Sequence, residues 1–523
     1  MLINTLFFFL VTQISYLSII GLGSLFSNKS FENIWLDNFI NFFIGIILLN
    51  ILGQILYYSN LNSEFLNLLI IIFGFCFFFI KNNKKTVYKI ILINSLFFSG
   101  LLISKLHEDW PYHFNFIQQI SLSKPIIGIG NLDDIHILSA SFFSYIQRFF
   151  YLPVFEFKMV LIPVYLVYLN IIIFLIQYIF LSSKKLSQIF LIILTILTIK
   201  LARISEFGYD YLSNIILLKI VLLYLVNEFN KKNNILFKNF YVILFLYAVS
   251  IKITALFFTP ILIYFLISDF LKNKKINFIN EYNYLFVLMF FGILLESFLR
   301  SGCLLYFSET TCFNKSLVSW SIDFQRVIDH SIHVELWSKG FFIQNAIIDT
   351  KLYLNISNWF NIWFYNHFFY KIFEFILIPI ILIIYFFIKE RLVLNKKYYF
   401  LFLASILSIL LWLLYLPQLR FGIASIIVFF ISLNLIFLKI NSKIVINKKN
   451  YFIFVLFLVL FFNFKNFNKI NNEFKREDVH KFTNFPFPPE KRILSLKTSN
   501  NSNKYLIHDG KKIDEFKWFL IIN

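Results

Sequence analysis

The chain has 523 residues, of which 59% are hydrophobic and 15% charged, with a mean hydropathy of +0.74 and a formal net charge of +20. That composition leaves too little polar surface for a soluble fold, and apolar runs near bilayer-spanning length recur along it, so the sequence predicts an all-α polytopic membrane protein. A charge of +20 would suggest a nucleic-acid partner in a soluble protein, but these lysines sit between apolar spans, where they set topology and touch membrane lipid headgroups.

About fourteen spans are predicted, at residues 2–25, 39–57, 64–80, 90–104, 157–181, 189–201, 211–229, 240–251, 253–268, 283–299, 371–388, 398–415, 423–438 and 451–463. The first lacks a basic n-region and a small-residue cleavage site, so it reads as a helix rather than a signal peptide. Lysine and arginine gather at 81–89, 182–188, 230–239, 269–282, 389–397 and 439–450. An excess of such residues in short loops marks the cytoplasmic side. With the N-terminus outside, every cluster falls inside, and HEDWPYH, RISEFGYDY and LPQLRFG fall outside. The spans make one transmembrane domain, 1–463, with large outer loops at 105–156 and 300–370. Residues 464–523 form a polar tail, expected on the outer side, that carries Pro486, Pro488 and Pro489.

Within the first outer loop, Pro111 to Ser123 has apolar residues at helical spacing and Ile137 to Leu152 is apolar nearly all round. Both are expected as helices lying in the membrane interface. Around the second loop, Trp320, Trp337, Trp359 and Trp363, with Trp110 on the same side, form either an interfacial aromatic belt or a platform for sugar rings.

Phe, at 73 residues, and the similarly abundant Ile, Leu, Asn and Lys form patterns by chance, so the information lies in rarer residues. Arg148, Arg203, Arg300, Arg326 and Arg420 all fall in segments expected outside. Lysine does the routine topogenic work here. An arginine in those places points to its planar bidentate fork, which suits phosphate or carboxylate, or to a side chain snorkelling to headgroups.

Three constellations carry candidate chemistry. His107-Glu108-Asp109-Trp110-Pro111-Tyr112-His113 follows the fourth span and offers adjacent carboxylates with neighbours able to tune them as a general base; a helix cap uses the same residues. Arg203-Ile204-Ser205-Glu206-Phe207-Gly208-Tyr209-Asp210 places three charges beside apolar spans, either as a functional group or as an ion pair joining two helices. Pro417-Gln418-Leu419-Arg420-Phe421-Gly422 is a tight outer turn presenting one arginine, and Lys252 adds a cation at another outer turn.

Weaker signals are set aside. Gly128-Ile129-Gly130 lacks the third glycine of a dinucleotide site and reads as a turn. Asp329-His330-x-x-His333-x-Glu335 and Asp133-Asp134 hold metal-capable residues without a full ligand set, so no metal site is assigned. Cys303 and Cys312 share the second outer loop, where an oxidising compartment favours a disulfide between them.

The arrangement of an acidic pair in an outer loop flanked by amphipathic helices resembles the GT-C superfamily of polytopic glycosyltransferases. More closely, EDWPYHFNFIQQISLSKPIIGIGNLDD, RISEFGYD, SGCLLYFSETTCF with ELWSKG, and PQLRFG resemble a group of uncharacterised bacterial multi-pass membrane proteins related to that superfamily, over most of residues 100–425. The superfamily places its acidic loop after the first helix, whereas here it follows the fourth span. The resemblance implies a polyprenyl-phosphate-linked sugar donor, a glycan or protein acceptor, a bacterial inner membrane location and no cofactor. Asp109 would deprotonate the acceptor, oriented by Glu108 or His113. Arg203, Arg420 and Lys252 would hold the lipid phosphate, with Glu206 and Asp210 beside them. A polysaccharide polymerase or ligase shares outer-face arginines, and a transporter or flippase of a lipid-linked glycan would need charges at mid-span and broken helices.

Overall fold

The computed structural model describes residues 2–27, 33–82, 84–102, 110–122, 124–131, 141–200, 209–229, 236–273, 282–306, 308–341, 350–389, 394–437 and 448–475, together with three two-residue pieces of the tail. The helices are α1 (Leu2–Leu25), α2 (Ile34–Tyr58), α3 (Glu64–Lys81), α4 (Lys84–Phe97), α5 (Trp110–Leu122), α6 (Ile162–Leu181), α7 (Lys184–Lys200), α8 (Asp210–Phe229) and α9 (Leu236–Ile251). They continue with α10 (Thr259–Asn273), α11 (Asn283–Ser301), α12 (Phe324–Ser338), α13 (Ile356–Trp363), α14 (Phe373–Lys389), α15 (Tyr399–Tyr415), α16 (Leu419–Phe437) and α17 (Lys448–Phe474). Strand pairing among the described residues consists of two pairs of two-residue strands, one joining Ile126–Ile127 to Phe519–Leu520 in parallel, and two isolated antiparallel bridges, Leu152 to Glu156 and Cys303 to Cys312.

Eleven helical stretches among the described residues are long and apolar enough to cross a membrane. The chain is therefore an all-α, multi-pass membrane protein. Three of the expected spans are present as shorter helices, α4 of 14 residues, α7 of 17 and α9 of 16. The span expected at 371–388 begins earlier, because α13, a π-helical turn at Phe364–Ile372 and α14 run on as one stretch from Ile356 to Ile384.

A helix apolar all round must be enclosed by protein or surrounded by lipid, and both outcomes occur. α6 is enclosed on all sides and α2, α8 and α16 nearly so, whereas α3, α14 and α15 leave long apolar faces uncovered. Phe65 and Ile80 on α3 are 70% and 73% exposed, which only a bilayer makes tolerable. Lipid tails remove the hydrophobic drive for helices to associate, so close backbone approach matters more. α1 meets α3 where Gly21 rests on the carbonyl of Gly74; a Cβ at Gly21 would overlap that oxygen.

Residues 141–152 differ from expectation. They form a short helix, Ser144–Gln147, and a 3-10 turn, Arg148–Phe150, buried within the bundle rather than lying on the interface. An all-round apolar segment satisfies either location, and here α2, α5 and α6 enclose it. On α5 too, Phe116, Ile117 and Ile120 are buried against protein.

Candidate functional site

Three of the charged residues singled out in the sequence come together. Asp210 opens α8, where a carboxylate suits the positive end of the helix dipole. Lys252 leaves the end of α9 in extended conformation, and Arg420 is the second residue of α16. Lys252 Nζ lies 3.0 Å from Asp210 Oδ1 and Arg420 Nε lies 3.1 Å from Oδ2. The side chains are unequal in access: Asp210 is 6% exposed, Arg420 13% and Lys252 26%. These described groups carry two positive charges for one negative, with the cations nearer the surface. The Arg420 guanidinium also lies over the Trp337 ring, 4.4 Å from its centroid.

Local structure fixes Arg420. The indole N–H groups of Trp363 and Trp412 donate to the carbonyls of Pro417 and Gln418, at 2.5 and 2.7 Å, and pin the turn that precedes α16. Gly422 lets α16 pass directly over Trp412, since a Cβ there would stand 2.6 Å from Trp412 Cδ2. Asn214, one turn into α8, donates to the carbonyl of Arg420 at 2.7 Å and accepts from the Ala424 N–H at 3.0 Å. It staples α8 to α16 beside the cluster. Sequence reasoning missed it because asparagine is common in this chain and nothing local marks a cross-helix bond.

The cluster occupies helix ends remote from the lysine-rich segments. α8 runs from Asp210 towards 230–239, α9 runs from there to Lys252, and α16 runs from Arg420 towards 439–450. At the other end of α8, Glu228 pairs with Lys397 and accepts from the Tyr398 hydroxyl at 3.1 Å.

A second acidic cluster was not anticipated. Glu296 on α11 binds Arg300 one turn away, through Nη2 at 2.8 Å and Nε at 3.2 Å, and accepts from the hydroxyls of Tyr58, at 2.8 Å, and Tyr145. Glu296 is 3% and Arg300 7% exposed, so this arginine serves an internal carboxylate rather than an outer ligand. A glutamate inside the run LLESFLR with an arginine at i+4 was the available signal. Arg148 is likewise internal, donating to the carbonyls of Gly53 and Leu61 and to Asn62 Oδ1 at 2.8, 3.2 and 2.7 Å. Arg326 donates to the Asn131 carbonyl at 3.3 Å. Trp359 and Trp363 are buried and hold the helix junction, while Trp337 remains 40% exposed.

Glu108, Asp109, Arg203, Glu206, Asp133 and Asp134 lie outside the described residues, and His113 falls within α5. Cys303 and Cys312 are joined by a disulfide that closes a small hairpin, with the Leu304 N–H donating to Thr311 O at 3.1 Å. Among the described residues, no three or more His, Cys, Asp or Glu side chains gather as a metal site.

The family described as a domain of unknown function, DUF8201, matches residues 1–427. The chain belongs to this family. No curated protein and no solved structure matches it. The DUF8201 region contains Asp210, Lys252, Arg420, the Glu296 cluster and the disulfide, and it ends within α16.

Proposed function

We propose that this DUF8201 protein is a membrane glycosyltransferase that moves a sugar from a polyprenyl-phosphate donor to a lipid-linked or surface glycan, or to a protein, at the periplasmic face of a bacterial inner membrane. The observation that carries the reading is the pairing of Lys252 and Arg420 about Asp210 at helix ends opposite the lysine-rich segments. Two cations held at fixed spacing by one buried carboxylate are suited to a phosphate, whose charge grows as it leaves. In the proposed step Asp109, oriented by Glu108 or His113, takes the acceptor hydroxyl proton. The acceptor oxygen then bonds to the anomeric carbon, the bond from that carbon to the phosphate oxygen breaks, and the polyprenyl phosphate departs with the electron pair towards Arg420, Lys252 and Arg203. No nucleotide is consumed.

A transport reading has observations of its own. Lys219, at mid-length in α8, is fully buried and donates to the Phe39 carbonyl, with the rings of Phe39 and Phe43 centred 3.9 and 3.3 Å from its ammonium. Charged groups at that depth are functional candidates, and the π-helical turn at Phe364–Ile372 interrupts another span. Mass spectrometry of lipid-linked and surface glycans in a deletion strain separates the two. Loss of one sugar from a surface glycan, with its polyprenyl-phosphate donor accumulating, supports transfer. Accumulation of a complete lipid-linked glycan supports transport and rejects transfer.

A further inference from the structure

Both partners of the Lys252–Asp210 ion pair hang on the same buried strut, residues 141–150. The Phe142 N–H donates to the Ser250 carbonyl at 3.3 Å, two residues before Lys252. Ser144 Oγ lies 3.1 Å from the hydroxyl of Tyr209, the residue before Asp210, and that hydroxyl donates to Gln147 Oε1. Gln147 is itself fixed, since its Nε2 donates to the Val160 carbonyl at 3.0 Å. The strut is anchored elsewhere by Arg148 on the turn after α2 and by the Tyr145 hydroxyl on Glu296. Ser144, Tyr145, Gln147, Arg148 and Tyr209 are all exposed by 1% or less.

Burial pushes the Tyr209 hydroxyl above its ordinary range, an effect the bond from Ser144 only partly offsets, so it stays protonated and remains a donor at physiological pH. Ser213 Oγ closes the frame by donating to the Ala248 carbonyl at 3.1 Å, tying α8 to α9 one turn in from the ion pair.

We propose that Tyr209, held by Ser144 and Gln147, is a positioning residue that sets the Asp210 carboxylate between Lys252 and Arg420. The spacing of the two cations is then determined by the strut and not only by the helices that carry them. The consequence for donor binding rests on the phosphate reading of this cluster, whereas the geometric claim is independent of it.

The test is zero-length carbodiimide coupling of the full-length protein in nanodiscs, followed by mass spectrometry. Paired carboxylates and lysines in contact form amides, so the protein should yield Asp210–Lys252 and, as an internal reference at the far end of the same helix, Glu228–Lys397. Tyr209→Phe should lower the Asp210–Lys252 yield about fivefold relative to the reference, the scale of one lost buried hydrogen bond. Ser144→Ala and Gln147→Leu should move the same ratio in the same direction, and Ser144→Ala is mild enough to keep the test open if Tyr209→Phe does not fold. A parental ratio in the folded variants overturns the proposal. So does a parallel fall of both amides, which would make Tyr209 a general packing residue. Absence of sugar transfer leaves this ratio untouched, so failure of the functional reading and failure of the strut are read separately.

Discussion

Two carboxylates, Asp210 and Glu296, each gather cations, and their surroundings separate a site from a brace. Glu296 takes its arginine from its own helix, adds two tyrosine hydroxyls and is closed off, with Arg300 only 7% exposed. Asp210 takes Lys252 and Arg420 from two other helices and leaves both more accessible than itself. Among the described groups, Glu296 faces one buried arginine, whereas Asp210 faces two cations that lie nearer the surface. Arg300 and Arg420 look alike in sequence, each at a span end, and only the partner and the access distinguish them.

The sharpest way to break the comparison is to remove each carboxylate in turn. Glu296→Ala leaves Arg300 buried without its acid and should cost about 3 to 5 kcal/mol of stability, read by thermal unfolding in detergent. Asp210→Ala should cost less than half as much, because its cations reach solvent. Equal losses would erase the distinction.

Activity should respond in the opposite sense to stability. Asp109→Asn preserves shape and capping ability but not basicity, so turnover should fall by about 10²-fold or more while the protein stays folded and binds donor. Parental activity in that variant would leave Asp109 as a helix cap.

The disulfide sharpens the structural side. Cys303→Ser should cost about 2 to 3 kcal/mol, as expected for opening a loop of this length, without changing donor affinity. Intact-mass comparison with and without reductant checks the bond itself. Free thiols at both positions in protein from an oxidising compartment would remove it from the account.

Gly422→Ala probes the link from packing to site. Its Cβ would press on Trp412 and should cost about 1 to 3 kcal/mol, and the same displacement should weaken donor binding through Arg420. Destabilisation with unchanged binding would show that the turn does not aim the arginine.

Helix positions were legible because apolar runs and lysine clusters repeat along the whole chain, and both follow from bilayer thickness and interior charge. Asp210, Lys252 and Arg420 were legible for a related reason, being charged residues at the ends of apolar runs. What sequence could not supply was their contact, since residues 210, 252 and 420 are far apart and no local pattern encodes distance. Residues 141–150 were misjudged as interfacial because the same apolar composition fits a lipid surface and a protein interior. Trp359 and Trp363, considered for a belt or a sugar platform, are buried because their rings pack within the helix junction, where the Trp363 N–H also donates to the Pro417 carbonyl. Glu296 and Lys219 were overlooked although single charges inside apolar runs are among the most informative residues in a membrane protein.

The most direct measurement is transfer of labelled sugar from a polyprenyl-phosphate donor by the purified protein in nanodiscs, compared with Arg420→Lys. The variant keeps the charge and loses the bidentate fork, so donor affinity should fall by about tenfold while the unfolding temperature stays near the parental value. Consumption of the donor by the parent, weakened in the variant, is the predicted result. Parental donor affinity in Arg420→Lys and Arg420→Ala alike, or no consumption of any such donor by the parent, would contradict the assignment of the Asp210–Lys252–Arg420 cluster as the phosphate site.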